Sequence, residues 1–203
     1  GKTTTTTVIG ELIKRAGKRC HVGGNIGRPL LTDAGEMRED DFAVIELSSF
    51  QLMNIKYGTD ISVITNITPN HLDVHKSMEE YTEAKKSIFK NSCGRVVLNF
   101  DNEITRGIAE ELGKRATLFS SKTILDNGYC IEDGYVVRRA DGESERILAL
   151  SDIKIPGMHN VENYMAAIAA TRAIESAGLS AEDIDLIIAS SCSTEYFYPN
   201  LAS

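Results

Sequence analysis

Apolar residues fall into two alternating styles along the chain: stretches with helical spacing, and short continuous runs. Residues 3–16 carry Val8, Ile9, Leu12, Ile13 and Ala16 at helical spacing, and Gly17 follows as a C-terminal stop. Residues 19–22 suit a short strand, and 42–47 (FAVIEL) and 61–67 (ISVITNI) are β-rich runs bounded by turn residues, as buried parallel strands are. Ser77-Met78-Glu79-Glu80 is a capping box that opens a helix to about Lys90. A strand at 95–99, a helix at 101–112 and a strand at 116–120 continue the alternation, which predicts right-handed βαβ units in one parallel sheet.

Beyond residue 120 the style changes. Residues 129–132 and 135–139 flank Asp133-Gly134, a hairpin turn, and Asp141-Gly142 permits a third strand over 146–149. An Ala-rich helix over 160–177 stops at Gly178, and Ser180-Ala181-Glu182-Asp183 caps a last helix to about Ala189. The expected fold class is α/β: a P-loop-type, mostly parallel sheet flanked by helices, with a small antiparallel patch. Residues 1–190 read as one domain, and 191–203 as a tail without periodicity. The chain lacks an initiating Met and opens directly onto a phosphate-binding pattern, so it reads as an internal piece of something longer.

Composition narrows the setting. Of 203 residues, 42% are hydrophobic and 25% charged, which suits a globular chain. Twenty-nine acids against 22 bases leave a net charge of -7, so there is no general footprint for nucleic acid or an anionic membrane, and any phosphate must be met locally. The longest apolar runs are too short to span a bilayer, and the N-terminal residues are not ordered as a secretion signal. The four cysteines lie far apart without a CxxC pair, as free thiols in a reducing, cytoplasmic compartment do.

Gly1-Lys2-Thr3 before a helix is the closing half of a P-loop. Glycine lets backbone N–H groups approach phosphate oxygens, Lys reaches the β- and γ-phosphates, and the hydroxyl binds Mg²⁺. Alone the tripeptide is weak evidence; the β/α alternation behind it and an acid closing FAVIEL, Glu46, raise its weight. An acid at the C-terminal tip of a parallel strand points into the crevice where such folds bind ligands, though it also suits a pair with a surface base. Lys85 lies on the apolar stripe of Met78, Tyr81, Ile88 and Phe89, while Lys86 is turned about 100° away. A lysine on a buried stripe snorkels, pairs with an acid, or is chemically altered. Asn70-His71-x-Asp73 follows ISVITNI at another strand tip, where imidazole and carboxylate suit a metal or phosphate site, although His is an uncommon Mg²⁺ ligand. His21 and His75 read as surface or packing residues. Asn160 and Asn163 share one helix face, either to hydrogen-bond a purine or to cap the helix.

GKTTTT, GGNIG (23–27), ELSSFQL (46–52), NITPNHLD (66–73), YTEAKKSIF (81–89) and GMHNVENYMAA (157–167) occur in the order found in the Mur ligases. ELSSFQL with GGNIG resembles the D-glutamate-adding branch of that family. The resemblance covers about residues 1–190 and implies an ATP-dependent ligase of peptidoglycan precursor synthesis. In it, ATP phosphorylates the carboxylate of UDP-N-acetylmuramoyl-L-alanine and the amine of D-glutamate displaces phosphate. Gathering anions there needs Lys, backbone N–H groups and Mg²⁺.

By the same resemblance, Gly1, Lys2 and Thr3 hold the ATP phosphates, with Lys2, Lys85 and His71 catalytic. Thr3, Glu46, His71 and Lys85 address Mg²⁺, Asn160 and Asn163 the nucleotide end, and Asn25 and Ser48 the substrate. Lys85 matches the lysine that the family carbamylates, which turns a cation into a carboxylate. The implied partners are small molecules, with no nucleic acid or membrane, and the protein is a monomer. Two features depart from the pattern: Asn70 stands where an acid often precedes the His, and residues 191–203 do not resemble the family's continuation. The family's uridine-binding and C-terminal domains and the first P-loop strand are absent from the sequence, which implies an inactive piece with an exposed apolar sheet edge. Two other readings stay open: a folylpolyglutamate-type ligase, and a nucleotide-binding module without catalysis.

Overall fold

The computed structural model describes residues 1–27, 29–53, 58–68, 78–90, 94–176 and 186–190. Its helices are α1 (Lys2–Arg15), α2 (Ser49–Met53), α3 (Met78–Lys90), α4 (Glu103–Leu112) and α5 (Met158–Ser176). Its strands are β1 (Cys20–Gly24), β2 (Phe42–Glu46), β3 (Ile61–Ile64), β4 (Arg95–Asn99), β5 (Ala116–Phe119), β6 (Gly128–Glu132), β7 (Tyr135–Ala140), β8 (Glu143–Ala149) and β9 (Leu186–Ser190). Among the described residues they form one sheet in the order β1-β2-β9-β3-β4-β5-β6-β7-β8. Pairing is parallel from β1 to β6 and antiparallel from β6 to β8, the expected mixture.

Helices cover both faces, so successive strand residues are buried in opposite directions. Val97 joins the core under α1 and α5, with Ile9, Val44, Val63 and Met165. Its neighbours Val96 and Leu98 join the core under α3 and α4, with Tyr81, Ile88 and Ile108. Small side chains let α5 approach closely: Ala166, Ala167, Ala169 and Ala170 are fully buried. The two Asp-Gly turns behave as read. Asp133 and Gly134 have φ of 50° and 79°, Asp141 and Gly142 of 54° and 83°, the paired positive values that a tight hairpin needs.

One expectation is corrected. The last helix, expected to reach Ala189, is not formed over 186–190, which are β9. This strand lies parallel between β2 and β3, pairing Val44 with Ile187 and Ile61 with Ile187. Ile187-Ile188 is a β-branched pair, and two flanking strands offer it backbone partners on both sides, which outweighs the helix-start signal at 180–183. The start of that helix, the capping box at Ser77, and His71, His75, Cys93, Cys192 and 191–203 lie outside the described residues. His21, read as surface or packing, is half-buried with Nε2 2.8 Å from Asp41 Oδ2. No helix among the described residues is long and apolar enough to cross a membrane.

Candidate functional site

The start of α1 faces the C-terminal tips of β1 and β2. Gly1 caps α1 without a side-chain hydrogen bond, and the first turn holds no acid, so the helix itself supplies no side-chain acceptor to the N–H groups at the positive end of its dipole. Around this end lies a hollow of about 410 Å³ lined by Gly1, Lys2, Thr3, Thr4, Asn25, Ile26 and Glu46.

Glu46, the last residue of β2, is only 2% exposed. The Thr3 hydroxyl donates to its Oε2 at 3.0 Å, and Asn25 Nδ2 reaches its Oε1 at 3.5 Å. The Asn25 backbone N–H donates to the Glu46 carbonyl at 2.8 Å, so the segment leaving β1 is tied to β2 at that point. The tie needs a glycine just before it. Gly24 has φ of 105°, and a Cβ there would sit 2.2 Å from the Glu46 carbonyl oxygen. Among the described residues no base lies within ion-pair distance of Glu46, which removes the surface-pair reading of this acid. A carboxylate so buried and held only by neutral donors is a natural seat for a cation. The Thr3 hydroxyl and the Glu46 carboxylate are hard oxygen donors of the kind Mg²⁺ takes, the rest of its sphere being water or phosphate. Among the described residues no cluster of three His, Cys, Asp or Glu adds to this pair.

Lys85 sits on the buried face of α3, 1% exposed, with Nζ 5.8 Å from the centre of the Tyr81 ring. Burial first, and the charge of Lys2 second, pull its amine down to a pKa of about 7. It does not line the hollow, but it is near enough to Lys2 to feel its charge. Lys86 turns away and binds Glu111 Oε2 at 2.8 Å on α4.

The remaining sequence candidates lie elsewhere. Ser48 donates through its backbone N–H and its hydroxyl to Gln51 Oε1 at 2.8 and 2.9 Å, and accepts from the Gln51 N–H at 3.3 Å, a reciprocal cap on α2. Asn160 and Asn163 share a face as read, but both are buried and in series. Thr5 Oγ1 donates to Asn163 Oδ1 at 3.2 Å, Asn163 Nδ2 to Asn160 Oδ1 at 3.2 Å, and Asn160 Nδ2 to the Pro156 carbonyl at 2.7 Å. The chain fastens the start of α5 to α1 and lines no part of the hollow. Of the ten candidates, Gly1, Lys2, Thr3, Asn25 and Glu46 converge, Lys85 stands behind Lys2, Ser48, Asn160 and Asn163 are placed apart, and His71 lies outside the described residues.

Sequence reasoning passed over Thr4, Ile26 and Thr5. The threonine run hid them, since only tertiary contact tells which hydroxyl faces the hollow and which faces α5. It also passed over a polar network past β4 and β5. There Ser121 Oγ lies 2.6 Å from Glu162 Oε1 and 3.1 Å from Asp101 Oδ2, joining the start of α5 to two strand tips.

Residues 1–171 match the family model described as the Mur ligase middle domain. The chain is 53% identical over 173 residues to a UDP-N-acetylmuramoylalanine–D-glutamate ligase of Acetivibrio thermocellus, covering 84% of this chain and 37% of that protein. It is 48% identical over 173 residues to the protein of that name from Ruminiclostridium cellulolyticum, again covering 84% and 37%. The chain thus spans little more than a third of the length of these relatives. In fold it is similar to the crystal structure of MurF ligase from Thermotoga maritima in complex with ADP, with a TM-score of 0.57, 17% identity, and coverage of 91% of this chain and 44% of that one.

Proposed function

The chain belongs to the Mur ligase family, and from that premise we propose that it is the ATP-binding domain of a ligase joining D-glutamate to UDP-N-acetylmuramoyl-L-alanine. The observation that carries this reading is the hollow at the start of α1, where Lys2, the helix N–H groups, Thr3 and the buried Glu46 meet. It offers positive charge and N–H donors to phosphate on one side and a carboxylate to a cation on the other.

Under this reading Lys2 and the first-turn N–H groups hold the β- and γ-phosphates in place for attack by the substrate carboxylate. Thr3 and Glu46 would hold Mg²⁺, whose charge would offset the negative charge of the phosphates. His71 would complete the metal surroundings, and Asn25, tied to Glu46, and Ser48 would face the substrate. Asn160 and Asn163 set the height of α5 against α1 and present the nucleotide end. The Lys85 amine, with a pKa of about 7, is substantially neutral near that pH. Its lone pair attacks CO₂, the new N–C bond forms, a proton leaves to solvent, and a carbamate anion takes the place of the buried neutral amine near Lys2. The setting is cytoplasmic and the protein monomeric, as light scattering and cell fractionation will test.

The test is D-glutamate-dependent phosphate release by the full-length enzyme. The reading expects release only with both D-glutamate and UDP-N-acetylmuramoyl-L-alanine present, and its loss in Lys2→Ala. Release that is indifferent to D-glutamate, or equal with another amino acid, contradicts it, and a non-catalytic nucleotide module predicts no release at all.

A further inference from the structure

A second hollow, of about 420 Å³, opens where the parallel sheet meets the antiparallel hairpin. Strands β5 and β6 pair only through Phe119 and Tyr129. At the wall of the hollow the two strands approach closely: a Cβ on Gly128 would lie 2.5 Å from the Leu118 carbonyl oxygen. The space is walled by Arg95, Arg106, Arg138 and Arg139 against a single acid, Glu110. In a chain with seven more acids than bases, four guanidinium groups around one cavity run against the overall charge.

Their known partners leave capacity. Arg139 Nη1 reaches Glu132 Oε2 at 3.3 Å and Arg138 Nη1 reaches Glu145 Oε2 at 4.0 Å, and neither acid lines the hollow. Arg106 Nη1 donates to the Phe100 carbonyl at 3.4 Å while its guanidinium lies 5.5 Å from the Phe100 ring. Arg95 Nη1 donates to the Lys114 carbonyl at 2.6 Å. Each guanidinium carries more N–H donors than these contacts use, and its planar fork suits an oxyanion. The volume suits a small molecule.

We propose that this hollow binds a small multivalent anion bearing carboxylate or phosphoryl groups, clasped by Arg106 on α4 and Arg139 on β7. The anion bridges the parallel sheet to the hairpin and is distinct from anything held at the start of α1.

Calorimetric titration of the protein at low ionic strength with citrate and with inorganic pyrophosphate tests this, in a Lys2→Ala background that silences the first hollow. At least one of the two binds with one site per chain, and Arg139→Gln weakens binding by about tenfold or more, the loss of one charge-assisted contact. Citrate alone marks a carboxylate ligand, pyrophosphate alone a phosphoryl one. Arg106→Gln, at a half-buried helix position, gives the same readout if Arg139→Gln does not fold. No binding of either anion in the Lys2→Ala protein overturns the proposal. So does unchanged affinity in the arginine variants.

Discussion

The hydroxyl of Thr3 and the carboxylate of Glu46, 43 positions apart, lie 3.0 Å from one another, joining the first turn of a helix to the tip of a strand. Glu46 is almost wholly buried there, and among the described residues its side-chain hydrogen-bond donors are the neutral groups of Thr3 and Asn25, so without a bound cation the folded protein holds a costly buried carboxylate. Glu46→Gln is therefore expected to leave the melting temperature of the ligand-free protein unchanged or raised. Calorimetry in EDTA checks this; a fall of several degrees would mean that the acid is a structural partner and not a waiting ligand.

Lys85 makes stability depend on alkaline pH in a defined direction. Its folded pKa is about 7 and its usual value 10.5. Between those values the unfolded chain holds a proton that the folded chain has released, so stability rises as pH climbs from about 7 to 10.5 and is flat below 7. Lys85→Met removes this slope. Urea unfolding of both proteins at pH 7, 8.5 and 10 is expected to show a gap in favour of Lys85→Met that narrows with pH by a few kcal/mol. A constant gap would place the amine in a solvated or paired setting.

The link between Thr5 and Asn163 spans 158 positions and joins α1 to α5. Asn163→Ala leaves the Thr5 hydroxyl and the Asn160 carbonyl oxygen with fewer partners in a buried place, at a cost of about 2 kcal/mol. Thr5→Val in the same background recovers part of that loss, because the orphaned hydroxyl is gone. Strictly additive effects in a double-mutant cycle would deny the contact.

Gly24→Ala is expected to destabilise by about 2 kcal/mol, from a positive φ and a Cβ driven onto the Glu46 carbonyl. It also shifts Asn25 and Glu46. Thermal unfolding and nucleotide affinity fall together in this variant, whereas Gly17→Ala, which meets nothing within 4 Å, loses stability only.

What was legible in the sequence was local. The Gly-Lys-Thr at a helix start, Glu46 closing a β-branched run, Lys85 on a buried stripe and the two Asp-Gly turns each follow from neighbours a few residues away. The structure places all of them where that logic puts them. What was not legible depends on partners far along the chain. Leu186–Ser190 carries a capping signal before it and a β-branched pair within it, and only the gap between β2 and β3 decides for a strand. The asparagines of α5 read from the residues alone as caps before purine contacts, and their link to Thr5, 158 positions away, is invisible in the sequence. The Ser48 hydroxyl bonds Gln51, a contact that the substrate reading of the sequence did not contain.

Magnesium-dependent ATP binding tests the central claim most directly. Titration of the protein with ATP in Mg²⁺ and again in EDTA, repeated for Thr3→Val, is expected to show tight binding only with the metal. The variant is expected to bind weakly and almost equally in both conditions. Equal, metal-dependent affinity in the native protein and in Thr3→Val would mean that the phosphates and their cation do not sit between α1 and Glu46.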